Sequence, residues 1–147
     1  MLFINPYLIF NGNCETAFLF YKSVFGGDFT HIGRFSEMPK EDGCAEPMPD
    51  EFGNRIMHVS LPIGKNSLMG SDSNPSMGEA IIGQNVNISI TTDTKAEADR
   101  LFAGLSEKGK VTMPMQDTFW GDYFGMTEDQ FGIEWMISYN KDYQIPA

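Results

Sequence analysis

The hydrophobic and polar positions of the chain repeat one plan twice. Residues 2–10 are apolar with a break at Asn5-Pro6, which predicts a strand entering from a sheet edge, where proline's missing N–H does no harm. Asn11-Gly12-Asn13 then turns the chain, and Asn13 is placed to cap a helix. In that helix Cys14, Ala17, Phe18, Tyr21, Val24 and Phe25 recur at spacings of three and four, giving one broad apolar stripe that Gly26-Gly27 ends. Residues 29–35 predict a second strand with His31 and Arg34 at polar positions. Prolines, methionines, acids and glycines remove any periodicity from residues 36–54, which read as a long irregular loop. Residues 55–63 and 66–71 form a strand pair over Gly64-Lys65.

Residues 73–84 are rich in Ser, Pro, Gly and Asn and read as a linker between a first module, 1–72, and a second, 85–147. Beyond it, residues 86–91 alternate as a half-buried strand. Thr94 and Glu97 form a capping box that opens a second helix with Ala98, Leu101, Phe102 and Leu105 on its stripe and Gly109 as its stop. Residues 111–115 give a short strand. Residues 119–137 then read as a hairpin with a tight turn at Asp129 to Gly132. Strand alternation puts Glu134 and Met136 on one side of it and Ile133, Trp135 and Ile137 on the other. The two helix starts lie about 80 residues apart, a period that in so short a chain means a duplicated βαβββ module. The predicted fold is α+β.

Composition narrows the partners. A formal charge of −10 over 147 residues, with no Lys/Arg cluster, repels phosphates and anionic lipid heads and argues against nucleic acid. No apolar run approaches the roughly 20 residues needed to span a bilayer, and residues 1–10 lack the basic start of a secretory signal, so a cytoplasmic protein with reduced Cys14 and Cys44 is expected. The acids of residues 37–51 read as a solvated loop, with a metal or cation site as the alternative.

The runs N-C-E-T-A-F-L-F-Y-K-S-V-F-G-G, I-M-H-V-S-L, S-L-M-G-S-D and W-G-D-Y-F-G-M-T-E-D-Q-F-G-I-E-W-M-I resemble the vicinal oxygen chelate superfamily of glyoxalase I, bleomycin-resistance proteins and extradiol dioxygenases, and within it the PhnB-like branch. The resemblance implies sheets curved around a cleft, a small-molecule ligand and a homodimer. It also implies a divalent ion held by His or Glu on the first and last strands of each module. Those positions fall on Asn5, Asn87, Met136 and the stretch 69–71, where Met69 stands, and Tyr7, Trp120 and Tyr123 join them as expected cleft residues. Amide and thioether groups are poor ligands for Zn, Ni, Fe or Mn, so the usual site is expected to be missing. The methyltransferase designation of some members is set aside, because no glycine-rich strand-to-helix turn followed by an acid is present.

Two side chains carry candidate chemistry. His58 is a usable proton carrier if it faces the cleft, and a satisfied structural residue if it does not. Glu134, among Met, Phe and Trp, is expected to have a raised pKa and to act as base or substrate anchor, or else to face outward in a salt bridge. Cys14, on the helix stripe, is expected to be inert. Two readings follow: a metal-free binding module, or a metal-dependent lyase, isomerase or dioxygenase with altered ligands such as His58 with Glu134.

Overall fold

A computed structural model describes residues 1–37, 50–74, 76 and 78–143. The chain forms two compact units, Met1–Ile81 and Ile82–Ala147. The first holds β1 (Tyr7–Phe10), α1 (Cys14–Phe25), β2 (His31–Arg34), the single-turn helix α2 (Asp50–Gly53), β3 (Ile56–Ile63) and β4 (Asn66–Asp72). The second holds β5 (Ile88–Thr92), α3 (Lys95–Ser106), β6 (Lys110–Asp117), β7 (Tyr123–Glu128) and β8 (Glu134–Tyr139). Each unit makes a four-stranded mixed sheet, in the order β1-β4-β3-β2 and β5-β8-β7-β6. The first strand lies parallel to the last and the remaining pairs are antiparallel. This is the expected tandem βαβββ plan.

In each unit one helix covers one face of the sheet. The α1 stripe buries Cys14, Ala17, Phe18, Tyr21 and Val24, and Val59, Leu61 and Leu68 are buried with them. Ala98, Leu101 and Leu105 of α3 share the second core with Trp135, 1% exposed, and Ile137. Burial of side chains this size contributes about 1.5–3 kcal/mol each, so the helix faces anchor both sheets.

Several local devices differ from those the sequence suggests. Asn13 makes no side-chain cap. Asp72, 3% exposed, does this work from the end of β4: its Oδ1 accepts from the N–H groups of Gly12 at 2.8 Å and Cys14 at 2.9 Å, and its Oδ2 from Ile56 at 2.8 Å. A carboxylate at a helix N-terminus also meets the favourable end of the helix dipole. The capping box of α3 is half made. Thr94 Oγ1 accepts from Glu97 N–H at 3.1 Å, but the Glu97 carboxylate turns to Arg100. That helix ends at Ser106, and the chain leaves it through Lys108, in the left-handed region with φ 57°, and Gly109, whose N–H donates to the Ser106 carbonyl at 2.9 Å.

The first strand starts only after Pro6, whose carbonyl accepts from Met69 N–H, and residues 1–4 are exposed. Around 36–54, Phe35–Glu37 is a 3-10 turn and Asp50–Gly53 a helical turn, while residues 38–49, with Cys44 and the acids Glu41, Asp42 and Glu46, lie outside the described residues. The segment expected as a linker is tied to the first unit: Ser73 N–H donates to Phe10 O, and Asn11 exchanges two hydrogen bonds with the Ala80 backbone.

Residues 119–122 are a loop rather than strand, closed by Thr118 on the carbonyl of Asp122. The turn at 129–132 is as expected, with Gly132 at φ 89°, a conformation other residues adopt only at a cost. Asp129 organises it. Its Oδ1 accepts from Phe131 and Ile133 N–H and its Oδ2 from the Trp135 indole at 2.8 Å.

Candidate functional site

The helices leave the opposite face of each sheet open, and the two open faces differ in chemistry. In the first unit a β-bulge decides what is displayed. Gly33 pairs with His58 and Arg34 with Ile56, so the register skips Met57. Ile56, Val59 and Leu61 stay buried on the helix side, and Met57 and His58 stand together on the open one. Strict alternation would have sent Met57 into the core.

His58 meets two rings there. Tyr7 Oη lies 3.2 Å from its Nδ1, with the rings stacked at 5.7 Å. His31, from β2, stands with its ring centre 5.5 Å away at a tilt of 35°. A Cβ on Gly33 would come 3.2 Å from His31 Nε2 and 3.6 Å from Glu37 Oε2, so glycine is what lets the imidazole lie over the strand. Burial, and second the neighbouring His31, hold the His58 pKa below the usual imidazole value. At neutral pH it is therefore an uncharged base, oriented by a phenol.

Tyr7 also forms one wall of a pocket of about 500 Å³, within the range of small-molecule sites. Ile9, Phe35 and Met57 supply the rest of its large apolar lining, and Ser71, which pairs with Ile9, joins Ser73, Asn74, Gly78, Glu79 and Ala80 around it. Asp72 borders it too, but its two oxygens already serve three backbone amides.

On the second unit's open face Glu134 pairs with Glu128 and Met136 with Met126, while Trp135 and Ile137 are buried, as the alternation of β8 requires. Burial raises the Glu134 pKa, and Glu128 and Asp129 add to it, Glu128 also through a hydrogen bond. Trp120 is half exposed, packs edge-on to Phe124 and donates its indole N–H to Asp122.

Tyr123 does not belong to this face. Its hydroxyl donates to Asp99 of α3 at 2.5 Å, which together with partial burial pushes its pKa up to about 12, and Lys95 lies over its ring. Burial, Asp72 and Glu15 drive the Cys14 thiol far above its ordinary range, which keeps it inert.

The positions at which the superfamily holds its ion do not suit one here. Asn5 spends its Oδ1 on Ser67 N–H at 2.9 Å. Asn87 Oδ1 is buried and lacks a hydrogen-bond partner among the described residues, but it is a single neutral oxygen. Met69 pairs with Tyr7 and Met136 with Ser89, which brings thioethers and no carboxylate or imidazole. Among the described residues no three His, Cys, Asp or Glu side chains gather where they could hold a metal. His58 and Glu134 lie in different units. No described helix is long and apolar enough to cross a membrane.

The bulge at Met57, the amide-gathering role of Asp72 and the pocket wall at 71–80 have no local signature. The nearest was an acid closing the apolar run S-L-M-G-S-D. His31, expected only as a polar position of the second strand, turns out to be the neighbour of His58.

Comparison with known proteins agrees with this architecture. The model of the Glyoxalase/Bleomycin resistance protein/Dioxygenase superfamily matches residues 3–137. Protein YjdN of Escherichia coli K12 is 33% identical over 145 residues, covering 94% of this chain and 95% of that protein. The crystal structure of PA1353 from Pseudomonas aeruginosa superposes with a TM-score of 0.81 at 41% identity, over 97% of this chain and 100% of that one. A PhnB protein from Bacillus cereus shares the fold at a TM-score of 0.70 and 23% identity, over 94% and 99% of the two chains.

Proposed function

Because the chain belongs to the glyoxalase/bleomycin resistance protein/dioxygenase superfamily, we propose that it binds a small, partly aromatic molecule against the open face of its first unit, without an ion at the superfamily's ligand positions. The observation that carries this reading is the pocket of about 500 Å³ that shares Tyr7 with the His58 pair. Its apolar residues accept a flat ring. Ser71, Ser73, Asn74 and Glu79 in the same lining are the few polar residues that fix orientation in such sites. An uncharged His58 beside Tyr7 can accept a hydrogen bond or a proton from whatever group reaches that end of the pocket. In the second unit Glu134, with its raised pKa, is the corresponding acid. The homodimer implied by the superfamily is part of the proposal, and sedimentation at micromolar concentration checks it.

Calorimetric titration with a panel of uncharged bicyclic aromatics, 1-naphthol first, tests the binding site. Tyr7→Ala should weaken binding at least tenfold. Tyr123→Phe, whose hydroxyl faces α3, should leave it unchanged, and so should EDTA. Failure of the whole panel to bind, or equal affinity in Tyr7→Ala, would overturn the reading.

A further inference from the structure

The chain contains two histidines, and the fold brings both to one place. His31 pairs with Ser60 and Gly33 with His58, so the two imidazoles stand diagonally across adjacent antiparallel strands, on the same face. We propose that His31 and His58 form a two-imidazole chelate for one divalent transition ion such as Zn²⁺ or Ni²⁺, at a place distinct from the superfamily's ligand positions.

Geometry supports it first. With a metal–nitrogen bond of about 2.1 Å an ion stands roughly 3.2 Å from each imidazole centre, and two centres 5.5 Å apart then subtend roughly 120° at the ion, close to a tetrahedral angle. The strands need not move, because the terminal torsion of a histidine is broad.

The second support is the state of the rings. Tyr7 occupies Nδ1 of His58, which leaves Nε2 as the coordinating atom and supplies the partner that fixes ring orientation in metal sites. His31 is exposed and makes no hydrogen bond among the described residues, so no existing bond has to be broken. Glu37 Oε2, near the His31 ring over Gly33, adds negative charge that favours a cation.

Two protein nitrogens leave the remaining positions to water, so the affinity should be moderate, and the ion would stand beside the pocket that Tyr7 lines. The chelate does not depend on that pocket binding its own ligand: the metal alone is the probe.

The test is calorimetric titration with Zn²⁺, followed by histidine-ring ¹H–¹⁵N spectra at one equivalent. One ion per chain should bind, both rings should shift together, and His31→Ala and His58→Ala should each weaken binding at least tenfold, with the double variant little worse than either single one. Tyr7→Phe, which removes the partner of Nδ1, should weaken binding, but by less than either histidine variant. Loss from only one histidine variant, from neither, or shifts of the two rings at different stoichiometries would overturn the chelate. Because His31 is at the surface, its variant will fold, so the assignment does not rest on His58→Ala alone.

Discussion

The two sheets share strand order, helix placement and a buried aspartate that gathers backbone amides, yet their open faces have little in common. On the first, Tyr7, His58 and His31 stand in a row beside a pocket. On the second, thioethers pair across strands at Met126 and Met136, and two carboxylates pair at Glu128 and Glu134. The buried half of each module is constrained by packing, where a lost or added methylene group is felt, whereas the open half is held only by the pleat. A duplicated fold can therefore keep its core plan while its two exposed faces diverge toward an imidazole–phenol set and a carboxylate–thioether set.

The largest expected effect probes what the units share. Asp72→Ala orphans three amides and Asp129→Ala orphans two amides and an indole. Each should cost at least about 3 kcal/mol in urea unfolding, because buried donors lose charge-assisted acceptors. A cost under about 1 kcal/mol for either would show that its unit is organised differently.

Ligand binding sharpens the contrast between faces. Tyr7→Ala should lose tenfold or more in affinity for 1-naphthol, about 1.4 kcal/mol, while Met136→Ala should change it less than about twofold. Equal losses would mean that the second unit's face takes part.

Smaller effects come from titration. A raised Glu134 pKa means that the ionised carboxylate opposes folding, so its contribution is favourable at low pH and lost as pH rises through its folded value. Glu134→Gln should therefore stabilise the protein at pH 7, by less than about 1 kcal/mol after solvent screening, and give no gain below about pH 4. No gain at pH 7 would remove the burial and like-charge argument.

The smallest effect concerns His58. Its lowered value means that stability is complete above about pH 6.5 and declines as pH falls through its folded value. Its NMR titration midpoint should lie below that of an unhindered imidazole and move partly upward in His31→Gln, since burial remains the larger cause. An unmoved midpoint would show that the rings do not sense one another.

The sequence by itself determined the element order, both helix stripes, the glycine turn of the last hairpin and the placement of Glu134 and Met136 opposite Trp135 and Ile137. These are local consequences of periods 3.6 and 2.0 and of backbone preferences, all written in neighbouring residues. It also placed amide and thioether side chains where the superfamily expects metal ligands.

Only the tertiary structure decided that Met57 shares a face with His58, because a bulge depends on how β2 registers against β3. It alone showed that Asp72 replaces Asn13 as the cap across 58 residues of chain, that Tyr123 turns to α3, and that His31 reaches His58. Contacts between distant segments depend on strand register and packing, to which no single stretch of sequence has access. The site worth testing is built from such contacts.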